Sequence, residues 1–117
     1  MKKIEEITEF HGSGIREAIT TFLVPLQATK IIKKDAFEEL VNAINALAQA
    51  LKGHDFVSKS LLDEIYTTIR VLRNEAPHFH SETAVLENMA DQLEMLFALI
   101  LIGETPNDRT PGVPRII

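Results

Sequence analysis

The stretch SETAVLENMADQLEMLFALILIG, residues 81–103, decides how the rest of the chain is read. Leu86, Met89, Ala90, Leu93, Leu96, Phe97, Ile100 and Leu101 recur at intervals of three and four, which places them on one face of a helix. Ser81 stands where an N-cap belongs. The first half of the stretch is amphipathic. Residues 96–102 are all apolar, so Leu99 and Ile102 occupy what should be the wet face. A helix end that is apolar on every side is expected at the centre of its domain or against a partner. A strand is the other reading of LFALILI, but no neighbouring segment alternates at period two to pair with it.

Upstream, further helices are expected to pack around this one. Asp35-Ala36-Phe37-Glu38 reads as a capping box. Phe37, Leu40, Val41, Ile44, Leu47, Ala48 and Leu51 follow as an unbroken stripe, with Gly53 as the left-handed stop. The spacing predicts a helix over 36–52. His54 to Lys59 reads as a loop with Phe56 tucked inward. Ser58 or Ser60 then caps a helix over about 60–75, carried by Leu62, Ile65, Ile69 and Leu72 and closed by Pro77. Nearer the start, Ile15, Ala18, Ile19, Phe22, Leu23 and Leu26 mark one more helix. Pro25 is expected to end it near Val24, or to kink it with residues up to Lys34 continuing it, because proline has no N–H for the carbonyl four residues back. Ile4, Ile7 and Phe10 suggest a short separate helix, interrupted by His11-Gly12-Ser13-Gly14.

The expected fold is therefore all-α: an antiparallel up-and-down bundle of about four helices over residues 1–103. Residues 104–117, with Pro106, Pro111, Gly112 and Pro114, form a tail. That tail is expected to be disordered, or to lie extended along the bundle on Val113, Ile116 and Ile117.

Composition narrows the function classes. The 117 residues carry a net charge of −5 and no cysteine, which excludes disulfides and thiolate metal sites. The acidic balance gives nonspecific nucleic-acid binding no support. The longest apolar run is far short of a membrane span of about 20 residues. MKKIEEITEF has no apolar stretch after its lysines, so a cytoplasmic location is the expectation.

Three constellations could carry chemistry. Arg73-Asn74-Glu75-Ala76-Pro77-His78-Phe79-His80 joins two helices. Its R-N-x3-H spacing resembles the active-site motif of HEPN-type ribonucleases, which are helical bundles. The resemblance implies RNA cleavage without a metal, with Arg73 and His78 clustered across a dimer, Asn74 beside them and His80 where a Tyr is common. Arg73 would hold a phosphate in its fork and His78 would move a proton near neutral pH. This sequence departs from that motif at Pro77, which breaks the helix the motif occupies. Second, Glu75-x-x-His78 is the pairing of di-iron bundles, but it occurs once rather than twice, so no metal and no cofactor are expected. Third, Glu87, Asp91 and Glu94 form an acidic face that could meet a basic partner.

The favoured reading is a small, acidic, non-catalytic protein acting by protein–protein contact, in the manner of regulatory, immunity, antitoxin or inhibitor proteins. It is expected to self-associate, as a dimer, through Leu96, Leu99, Ile100 and Ile102, or to meet another protein. The HEPN-like ribonuclease is the alternative, and the one under which nucleic acid would be a partner.

Overall fold

The computed structural model describes residues 4–106. Four helices follow one another: α1 (Ile4–Thr29), α2 (Lys34–Leu51), α3 (Lys59–Glu75) and α4 (Thr83–Leu101). Two single 3-10 turns, Ala76–His78 and His80–Glu82, join α3 to α4. There is no strand among the described residues, and LFALILI is helical. No helix among them is long and apolar enough to cross a membrane.

α1 packs along α2, and α3 along α4, as two antiparallel hairpins. The Phe22 ring, late in α1, meets that of Phe37, early in α2, at 5.3 Å. Tyr66, midway along α3, meets Phe97, late in α4, at 5.9 Å, and Arg73, late in α3, reaches Glu87, early in α4. The hairpins touch more lightly along α2/α4 and α1/α3. Those pairs run parallel: Arg16 reaches Glu64, and Lys30, further along the chain from Arg16, reaches Glu75, further along α3. The order around the bundle is thus α1, α2, α4, α3. Phe22, Leu26, Leu40, Leu47, Ile65, Leu72, Leu86 and Leu93 are wholly enclosed at the centre. Each such side chain contributes about 1.5–3 kcal/mol by leaving water.

Several local expectations are corrected. The glycine-rich 11–14 segment does not interrupt anything, and α1 runs straight through it. Two glycines cost a helix about 1 kcal/mol each relative to alanine. Ile7 and Ile15, both buried on one face, offset that cost. Gly12 is itself buried, and the Arg16 guanidinium lies where its side chain would be, 3.0 Å from an added Cβ. Pro25 does not end α1 at Val24. The helix continues to Thr29, because Leu26 is fully buried and the Pro25 carbonyl gains two donors. These are the Thr29 hydroxyl at 2.9 Å and the Ile31 N–H at 3.2 Å. Lys30, at φ 56°, turns the chain out of the helix.

Asp35 is no cap. Phe37 N–H already bonds the Lys33 carbonyl, so α2 starts earlier and Asp35 sits inside its first turn, near the positive helix end. Ser81 does not cap α4 either; it lies in a 3-10 turn, and α4 starts at Thr83. Phe56 is not tucked inward but 78% exposed, and Val57 takes the inward place. Ser58 does cap α3, accepting from Leu61 N–H at 3.3 Å. Gly53, at φ 86°, does stop α2.

α4 ends in a Schellman arrangement. Gly103, at φ 72°, bonds the Ile100 carbonyl, and Glu104 N–H bonds that of Leu99 at 2.9 Å. The chain then doubles back: Thr105 is buried, and Pro106 lies beside Met95, Ala98 and Leu99. The rest of the expected tail, with Val113, Ile116 and Ile117, lies outside the described residues.

Candidate functional site

Two of the constellations turn out to be one. Arg73, in the last turn of α3, reaches across to α4. Its guanidinium donates to Glu87 at 3.1 Å, Asp91 at 3.0 Å and Glu94 at 2.6 Å. The three acids are three and four residues apart, so one helix face presents them together. Unpaired, they would repel one another; the guanidinium between them reverses the sign. The hydrogen bond to Asp91, above all, holds the Arg73 pKa above its ordinary value, against the opposing effect of partial burial, with the bond and charge of Glu94 adding to the rise. All three carboxylates accept from the one guanidinium while their side chains stay open to solvent.

Around Arg73 the other motif residues go separate ways. Asn74, His78 and His80 are exposed. Glu75 is spent on Lys30, at 2.7 Å, and the same ammonium lies 5.4 Å from the centre of the Phe79 ring. Ala76 and Phe79 are buried, so the connection folds inward at every third residue and turns its histidines out. His80 sits at φ 47°, a conformation that costs a non-glycine residue about 1 kcal/mol or more. Thr83 helps hold it there: its hydroxyl bridges the carbonyls of Ala76, at 2.8 Å, and His80, at 2.9 Å. Among the described residues, no three of His, Asp and Glu converge so as to hold a metal ion.

The four residues expected at an interface also separate. Leu96, Leu99 and Ile100 are buried within the chain, and Ile102 stays exposed. Beside Ile102 lie two residues the interface reading left out. Leu101 was placed in the core stripe and is 57% exposed; Phe56 was placed inward. Together with Leu51, Val57 and Ile100 these three line a recess of about 260 Å³, flanked by His54 and Asp55, where α2 and α4 both end. Phe56 also borders a second recess, against Ile4 and Thr8 of α1.

A larger groove, about 570 Å³, runs between the first halves of α2 and α4. Phe37, Val41, Val85 and Met89 give it an apolar floor, and Asn42, Asn88 and Gln92 stand along it with their carboxamides. Neither this groove nor the end recess is lined by Arg73, Asn74, His78 or His80. The sequence held a signal for the groove: Val41 sits beside Asn42, and Val85 one helical turn before Asn88, with amides where a charge is commoner. No known protein family, curated protein or solved structure matches the chain.

Proposed function

We propose that this chain works by protein contact without catalysis, and that its first partner is a second copy of itself, met through the end of the bundle where α4 stops. One observation carries the reading. Phe56, Leu101 and Ile102, three large apolar side chains, surround one recess and remain exposed at 78%, 57% and 39%. Scattered apolar residues are ordinary on a surface, but a contiguous group around a concavity marks a contact site. Such a patch is self-complementary under a two-fold axis, with the ring of Phe56 from one copy entering the recess of the other. Leu96, Leu99 and Ile100 support this end from beneath rather than touching the partner. The Arg73 cluster fits the same reading, since its guanidinium is already engaged by three carboxylates, whose excess negative charge disfavours a phosphate.

Sedimentation velocity tests it. The wild type is expected to move as a dimer at tens of micromolar, and Phe56→Ser with Leu101→Lys as a monomer with unchanged helical circular dichroism. A wild type that stays monomeric across the concentration series, or a double variant that stays dimeric, would overturn the reading.

A further inference from the structure

The groove between α2 and α4 has an apolar floor and no covering element among the described residues. We propose that its occupant is the chain's own residues 107–117, lying extended along it.

The path is prepared by the end of α4. The Schellman turn at Gly103 reverses the chain, and Pro106 lies against Met95, Ala98 and Leu99. The chain is therefore already travelling back along α4 when it reaches residue 107. On α4, positions 99, 95, 92, 88 and 85 form one continuous stripe at alternating spacings of four and three. Leu99 and Met95 border the recess at Pro106, and Gln92, Asn88 and Val85 border the groove. From residue 99 to residue 85 the helix is roughly 21 Å long, at about 1.5 Å per residue. Eleven extended residues cover roughly 36 Å at about 3.3 Å each. Val113 falls within reach of the groove, and Ile116 lies beyond it on the same line.

The chemistry agrees. NDRTPGVPRII supplies Val113 for the floor and Ile116 for the apolar surface just past it, and its prolines favour an extended backbone. Such a backbone has carbonyls and amides that no helix or sheet of its own satisfies, and carboxamides both donate and accept. Arg109 and Arg115 travel past Asp91, whose side chain is 66% exposed, and Glu38 on the groove's edge. This proposal is independent of self-association at the bundle end.

The test uses the full chain. It has no cysteine, so Gly112→Cys accepts a single spin label. In a ¹⁵N-labelled, spin-labelled chain diluted into unlabelled, unmodified chains, the amide signals of Val41, Asn42, Asn88 and Met89 are expected to be lost and to return on reduction of the label. Adding Val113→Asp and Ile116→Asp should restore them without reduction. The proposal is overturned by undiminished groove signals, and equally by loss that persists in the doubly substituted chain. It is also overturned if signals vanish only when ¹⁵N-labelled and spin-labelled chains are mixed, since the segment would then dock on a second copy.

Discussion

The two ends of the bundle are built from the same four helices and finished differently. At one end α3 turns into α4, and that turn is tied together by the chain's own polar groups. Thr83 closes two carbonyls, Lys30 pairs with Glu75 and lies near the Phe79 ring, and Arg73 ties α3 to α4 just beyond. At the other end α2 and α4 stop on glycines, and Phe56, Leu101 and Ile102 face solvent. That contrast is why the contact site is proposed at the second end. The HEPN-like motif lies at the first, where its arginine is engaged.

The contrast is most open to attack at Leu99. It lies near the apolar end, yet it is buried within a single chain. Leu99→Lys is therefore expected to unfold the protein rather than dissociate it. Placing an unpaired ammonium there costs on the order of 4 kcal/mol or more. Thermal unfolding at a concentration where the wild type is monomeric checks this, and an unshifted midpoint would move Leu99 from the core to an interface. A smaller effect is expected at the satisfied end. Thr83→Val strips one donor from two carbonyls and should cost about 1 kcal/mol. Denaturant unfolding measures it, and faster hydrogen exchange of the Phe79 and Glu82 amides should accompany it, because the 3-10 turns loosen first.

The least effect is expected at Arg73→Gln. Its partners are solvent-exposed, so screening removes much of what the cluster contributes. The variant should melt lower than wild type at low ionic strength, and the gap should close as salt is added. Acid and base act differently on it. The folded pKa of Arg73 is raised, so its contribution is fully present below the unfolded value and is lost only as pH rises through the still higher folded value. Between neutral and pH 10 the guanidinium keeps its charge, and the difference between variant and wild type should not change on that account. A gap that is independent of salt would mean the cluster is held by packing rather than charge.

How much could be read in advance differs by residue. The stripe from Phe37 to Leu51 and the stripe from Leu86 to Ile100 were legible because burial follows helical period directly. Leu101 broke the rule: it has the right spacing, but the helix ends there and no neighbour remains to cover it. Gly12, and Pro25 read as a stop at Val24, misled for a shared reason. Their cost is local and about 1–3 kcal/mol, whereas the burial that outweighs it, at Ile7, Ile15 and Leu26, depends on other helices. Arg73 and the row Glu87, Asp91 and Glu94 were each visible, but nothing in the order of residues says that a side chain fourteen to twenty-one positions upstream lies between them.

The amino-acid sequence on its own determined that this chain is all-α, which faces of α2, α3 and the first half of α4 are wet, and where α2 and α3 stop, because those features depend on spacing and on single residues with special backbones. Tertiary structure alone decided that α1 is continuous, that Arg73 belongs to the acids, and that Phe56 and Leu101 are left outside. Each of these turns on which helix lies beside which, and that is a property of the packed body rather than of any one segment.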